Sequence, residues 1–422
     1  MRAILLILLL ASTLQSQMYF PPLSGSQWDT VSAASLGWCT SERDTLMDYL
    51  ENSNTRSFIM LYRGRIVEEE YMNGFGRDSI WYWASAGKSL MAFLIGMAQE
   101  DGLLNINDKT SQYLDTGWTT APRAKEDLIT IWHQLTMTTG LDFNVPDPDC
   151  LEDTCLNYLH DAGTHWYYYN APYRLLQDVL EVAAGQNLNL FTLQSLTNLT
   201  GINGLWFNYV FLSRARDMAR FGLLSLNEGK WNGNQVLGDT TYFKDMVSPS
   251  QNLNEAYGYL WWLNGGSSFK QPAFDIQFPG EIIPSAPSDL YMAAGKNDQR
   301  IYVVPSLDLV VVRQGEAANN SLPALSGFDD ELWELIMNYL CPPSVSFQPY
   351  PLNQLEVFPN PASDVIRCPG CSGTELKIVD SAGQIHIIEA TPDGKINIEG
   401  LAPGVYYLWD PQVRGTARFI KP

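Results

Sequence analysis

The chain has 422 residues, 45% of them hydrophobic, with 13 Trp and 21 Tyr. That is enough apolar and aromatic material for one large folded domain and a small one, and it argues against a disordered chain. A formal net charge of -20 argues against nucleic acid or an anionic membrane surface as a partner.

The first 17 residues read as a signal peptide. Arg2 carries the positive charge, residues 4–11 are a short apolar core, and residues 12–17 are small and polar. The apolar run is too short to span a bilayer, and no later segment offers about 18 uninterrupted apolar residues, so no transmembrane span is expected. Six cysteines fit export to an oxidising compartment. The expected pairs are Cys39–Cys341, Cys150–Cys155 and Cys368–Cys371. Cys368 and Cys371 have no nearby His or Cys to complete a metal site, and neither metal nor cofactor is expected.

In chain order, Thr40 and Ser41 can cap a helix over 42–51. Strand-like runs follow at 57–62 and 65–72, with Arg63-Gly64 as the turn. A helix opens near Ser85 and runs to about 99, with Leu90, Phe93, Leu94 and Met97 at helical spacing. The stretch 105–255 reads as mainly helical and loop-like, with helix patterns at 129–137, 171–184, 188–196 and 214–227. Strand signals return at 257–263, 290–294, 300–305 and 308–314, and a last helix covers 329–340. Strands, a helical block, then strands and a helix predict an α/β (α+β) domain over 24–341, a sheet flanked by helices with a helical insertion. The first and last helices are expected on one face, which would bring Cys39 to Cys341. A Pro- and Ser-containing linker is expected at 342–354, then a small all-β domain at 355–422 with turns at Asn360-Pro361, Ala382-Gly383, Asp393-Gly394 and Pro403-Gly404.

Chemistry concentrates at Ser85-Ala86-Gly87-Lys88. Positions i and i+3 share a helix face. A serine hydroxyl needs a proton acceptor, and a lysine serves if burial lowers its pKa. The S-x-x-K pattern is weak alone, but here it follows two strands and opens an apolar helix. A Y-x-N occurs at Tyr168-Tyr169-Asn170, inside the aromatic run 165–173, and a third element at Gly295-Lys296-Asn297-Asp298-Gln299 precedes a strand.

These three ordered motifs resemble the penicillin-binding and β-lactamase-like serine hydrolases, nearest the class C β-lactamase and esterase branch. Thr136-Met137-Thr138-Thr139-Gly140-Leu141 and Tyr257-Gly258-Tyr259-Leu260-Trp261-Trp262 are also similar to that family. The resemblance covers about residues 45–340. It implies a β-lactamase-like antiparallel sheet, Ser85 as nucleophile, Lys88 as its activator, and Tyr168 as proton shuttle, with Asn170 bonding Lys88 or substrate. It further implies an oxyanion hole from the backbone N–H groups of Ser85 and Gln299, and Lys296 as a support for Tyr168 or a site for a substrate carboxylate. The substrate would be a small molecule or peptide-like ester or amide. Asp298 stands where the family usually has Gly, which puts a β-lactam-binding role in doubt.

Rival schemes fit less well. The first Gly of a G-x-S-x-G elbow is missing, and no H-E-x-x-H occurs. Asp147, Asp149, Glu152 and Asp153 read as a solvated acidic loop, with a calcium site as the alternative reading. In the tail, Val357-Phe358-Pro359-Asn360-Pro361-Ala362, Leu401-Ala402-Pro403-Gly404-Val405-Tyr406 and Phe419-Ile420-Lys421-Pro422 resemble the sorting domain of the bacterial type IX secretion system. That resemblance implies a Bacteroidetes-type bacterium, the type IX machinery as a partner, and a secreted or surface location reached through periplasm and outer membrane.

Overall fold

A computed structural model of the chain describes residues 17–318, 325, 327–341, 353–371, 376–380, 385–388, 391, 394–410 and 415–422. The expected signal peptide and linker lie almost wholly outside them. Contacts divide the chain into two compact units, Met1–Pro342 and Pro343–Pro422. Among the described residues, no helix is long and apolar enough to cross a membrane.

The first unit is built on a six-stranded antiparallel sheet. Its strands are β1 (Thr55–Tyr62), β2 (Arg65–Tyr71), β6 (Trp262–Leu263), β7 (Tyr291–Gly295), β8 (Gln299–Val304) and β9 (Leu309–Gly315). The spatial order is β2-β1-β9-β8-β7-β6. Every residue of β7, β8 and β9 is buried. A strand covered on both faces reads as a continuous apolar run, as Val310-Val311-Val312 does.

Alternation along β8 shows what covers each face. Arg300 and Tyr302 point to α5 (Gly327–Leu340), where Asp329 accepts from both and Trp333 meets the Tyr302 ring edge-on at 5.4 Å. Helix α1 (Arg43–Asn52) lies beside α5, with Tyr49 stacked on Phe328 at 5.7 Å. Cys39 and Cys341 join the start of one to the end of the other, Cα to Cα 5.3 Å. Ile301 faces the other way, to α4 (Ala215–Leu226). There a Cβ on Gly222 would lie 2.4 Å from Val310 Cγ1 and 3.0 Å from Ile301 Cγ2, so only glycine lets this helix settle on the sheet. Helix α2 (Gly87–Glu100) packs Phe93 edge-on against Phe221 of α4.

Two sequence expectations are corrected. The block between the strands, expected to be mainly helical and loop-like, holds α3 (Asn170–Ala184) but also strands that were not expected. These are β4 (Gly204–Phe207) and β5 (Val210–Ser213), which form a three-stranded sheet with β3 (Trp81–Tyr82). The β4–β5 turn is Asn208-Tyr209, both at positive φ (48° and 64°), the geometry of a tight hairpin without its usual glycine. Second, only Trp262–Leu263 of the run 257–263 joins the sheet. Leu260 has φ 58°, and the N–H groups of Tyr259 and Leu260 bond the carbonyls of Met246 and Leu135 instead of a strand.

In the second unit, described strands form a five-stranded sheet and a two-stranded one. Ile366, Leu376, Ile378, Ile396, Leu408 and Phe419 are its core, and Cys368 is bonded to Cys371.

Candidate active site

Helix α2 is apolar nearly all round, and residues 87–98 are all buried, as expected of a helix in the middle of a core. Its entry is held from the side. Trp83 is fully buried, its backbone N–H donates to Phe211 O at 2.9 Å, and its indole donates to Ser213 Oγ at 2.8 Å. Ala84 then takes φ 47°, a left-handed conformation that costs an L-residue about 1–2 kcal/mol. This sharp turn sets Ser85, partly exposed, at the start of a 3-10 turn that continues as α2.

Lys88, one turn on, is only 4% exposed. Its Nζ lies 2.8 Å from Ser85 Oγ and 3.0 Å from Asn170 Oδ1. The rings of Tyr173 and Tyr168 flank it, with centroids 4.4 and 4.9 Å away. Among the described residues no carboxylate pairs with it. Burial therefore dominates and pushes the amine down to about 7, helped by the positive charge of Arg174 and opposed by Asp149. Near neutral pH a good part of Lys88 is unprotonated and can accept a proton from the hydroxyl it touches.

Tyr168 stacks on Trp262 at 5.7 Å and meets Tyr257 edge-on at 6.3 Å. Among the described residues, its buried hydroxyl makes no hydrogen bond of normal geometry. Burial pushes its pKa up, and the nearby Ser85 hydroxyl only partly offsets that, so Tyr168 is a neutral phenol. The neighbouring tyrosines turn away: Tyr167 stacks on Phe143 at 3.4 Å, and the Tyr169 hydroxyl donates to Cys155 O at 3.3 Å.

The third motif is placed differently from the expectation. Gln299 is fully buried, and its side-chain amide donates to the carbonyls of Gly315 (2.6 Å) and Asn297 (2.9 Å). It sits in the hairpin opposite Gly295, and it is Gly295 that lies on Ser85. A Cβ there would fall 2.4 Å from Trp83 O, 2.9 Å from Ala86 N and 3.1 Å from Ser85 N. Lys296 follows, exposed on the hairpin tip, with no hydrogen bond to Tyr168 among the described residues.

Four residues near the site had no role in the sequence reading: Gly295 against Ser85, Tyr173 over Lys88, and the pair Arg174–Asp149 (3.1 Å) that acts on Lys88. Tyr173 and Arg174 lie three and four residues after Asn170 on α3, so helical spacing could have found them. Asp149 reaches them only through the fold.

A sheet covered by helices on both faces, with a serine and a buried lysine at the start of its central helix, defines a class of serine hydrolases. The chain belongs to the beta-lactamase family, whose described pattern matches residues 55–313. Its fold is shared by a penicillin-binding protein homolog from Caulobacter crescentus (12% identity, TM-score 0.55, 74% of this chain and 99% of that one). It is also shared by a beta-lactamase/D-alanine carboxypeptidase from Pseudomonas syringae (15%, 0.52, 72% and 98%) and a family VIII carboxylesterase (12%, 0.53, 73% and 98%). In sequence the chain is similar to an uncharacterized protein of Alkalihalophilus pseudofirmus, 21% identical over 314 residues, 65% of this chain and 86% of that one.

Proposed function

We propose that the protein is an exported serine hydrolase that cleaves an ester or amide through a covalent intermediate on Ser85. The observation that carries this is the 2.8 Å contact between Ser85 Oγ and a buried Lys88 held near neutrality by desolvation.

In the first step neutral Lys88 takes the Ser85 proton as Oγ bonds to the substrate carbonyl carbon. The negative charge moves to the carbonyl oxygen, where the N–H of Ser85 and the backbone at Gly295-Lys296 are suited to receive it. Collapse breaks the bond to the leaving alcohol or amine, which takes a proton from Lys88 by way of the Tyr168 hydroxyl. A water molecule then repeats the sequence on the acyl-enzyme and frees Ser85. Tyr168 serves as a relay, because burial keeps it protonated, and Lys88 serves as the base. Asn170, accepting from Lys88 at 3.0 Å, orients the amine.

The Tyr168-x-Asn170 motif favours the class C-like branch. Within it, a broad esterase or amidase is the reading preferred, because Asp298 occupies the position usual for Gly. A D-Ala-D-Ala peptidase or β-lactamase is the second reading, favoured by the exposed Lys296 at the rim, where a substrate carboxylate could bind. Residues 355–422 are read as a type IX sorting domain, on the motifs at 357–362, 401–406 and 419–422; deleting them is expected to trap the enzyme in the periplasm.

The test is labelling of the folded protein with a fluorophosphonate and with a penicillin, the adduct mapped by peptide mass. A label on Ser85 is expected. Nitrophenyl esters, nitrocefin and D-Ala-D-Ala peptides then sort the substrates. Failure of every reagent to modify Ser85 would leave a binding homologue without chemistry.

A further inference from the structure

The extended residues 166–169 lead into α3 at Asn170, and the side chains of this stretch divide between two places. Tyr168 and Asn170 turn to Lys88. The Tyr167 and Tyr169 rings turn to the loop 142–156, which also receives the backbone N–H of Ala171. Tyr167 stacks on Phe143, the Tyr169 hydroxyl donates to Cys155 O, and the Ala171 N–H donates to Pro148 O at 3.1 Å. One turn along α3, Arg174 meets Asp149 Oδ2 at 3.1 Å. The loop is closed on itself by Cys150–Cys155, Cα to Cα 6.0 Å, and by the Asp149 N–H donating to Asp147 Oδ1 at 3.0 Å. Phe143, Pro148, Asp149 and Cys155 thus grip the far side of the segment whose near side carries Tyr168 and Asn170.

We propose that the Cys150–Cys155 loop is a positioning element of the site, and that Asp149 and Arg174 are its positioning residues. Their ion pair, next to Cys150, locks the Tyr168–Asn170 segment against Ser85 and Lys88. The proposal rests on Ser85 and Lys88 being the reacting pair.

The same two residues supply the ionic field on Lys88, with opposite signs. The other groups around the amine are Ser85, Asn170 and the phenols of Tyr168 and Tyr173, both pushed up by burial and neutral. From the β7 hairpin the charged residue is Lys296, which is exposed. The Asp149 side chain is 39% exposed, so solvent screens part of its effect.

This arrangement separates a positioning role from a structural one. Asp149→Asn and Arg174→Gln break the same ion pair, so a purely structural loss would move the pH profile of both variants alike. Ser85 labelling by a fluorophosphonate is followed against pH in the full chain. Asp149→Asn is expected to move the acid limb to lower pH and Arg174→Gln to higher pH, each by up to about one unit. Both should lose about 10-fold or more in plateau rate as the segment loosens. The double variant should return the midpoint toward wild type while its plateau stays low. Cys150→Ser with Cys155→Ser should lower the plateau with a cooperative melt retained; if that pair of changes prevents folding, the two charge variants still decide. Wild-type plateaus, or shifts in one direction for both, overturn the proposal. A wild-type protein unlabelled at Ser85 refutes instead the Ser85 reading beneath it.

Discussion

Two buried cations in the first unit are treated in opposite ways. Arg300, fully buried in β8, meets Asp329 through two contacts (2.6 and 2.8 Å) and Asp298 Oδ1 at 3.1 Å, and also donates to Gly295 O at 2.9 Å. Its charge is locked in, and its pKa is driven up by these carboxylates against the pull of burial. Lys88, nearly as buried, has a serine hydroxyl, an amide oxygen and two aromatic rings, so burial wins and its amine comes down to about 7. Supplied with carboxylates, Arg300 is part of the scaffold; Lys88, without them, can give up its proton. The scaffold cation also serves the site, because it holds the carbonyl of the glycine that lies on Ser85.

The comparison can be broken in several ways. The largest effect should come from Ser85→Ala, which removes the oxygen proposed as the nucleophile. Turnover is expected to fall by about 10⁴-fold or more with the thermal midpoint almost unmoved. Lys88→Met should cost activity by about 10³-fold and raise stability. The sign follows from linkage. Lys88 titrates near 7 folded against an ordinary value of 10.5, so between those pH values the unfolded chain binds the extra proton and stability rises with pH. Below pH 7 the full cost of burying the charge is present. Removing the amine should therefore help most at acidic pH, by about 1 kcal/mol or more in urea titrations.

Asp329→Asn should do the reverse to the other cation. It strands Arg300 without its main partner, and a loss of about 3–5 kcal/mol is expected by denaturant unfolding. Smaller again is Gly295→Ala, where the new methyl meets Trp83 O and Ser85 N. A stability loss of about 1–3 kcal/mol is expected, with slower Ser85 labelling.

What could be read from the sequence was whatever has a local signature. The apolar strands β1, β8 and β9 and the buried helix α2 carry their periodicity in consecutive residues. Ser85 and Lys88 meet because three residues on a helix make a shared face. The hairpin of β4 and β5 was missed because its turn, Asn208-Tyr209, takes two positive φ values without glycine, so no turn signal marks it. The run 257–263 looked like a strand because it is aromatic, yet its rings fill the space between helices and sheet. Gln299 was assigned by its place in a motif, while the hairpin pairs it with Gly295 and brings Gly295 against Ser85. Asp149 read as one more solvated acid. Its partner lies 25 residues away by number (174 against 149), and the contact exists only once the chain is folded.

The central claim is that desolvation makes Lys88 the base for Ser85. It is tested most directly by the rate of Ser85 acylation against pH, measured before steady state with one activated ester. The rate should rise through a single titration with its midpoint near pH 7 and then stay level up to pH 9, since Tyr168 remains protonated. A rate independent of pH across that range, or one that survives in Lys88→Met, would contradict it.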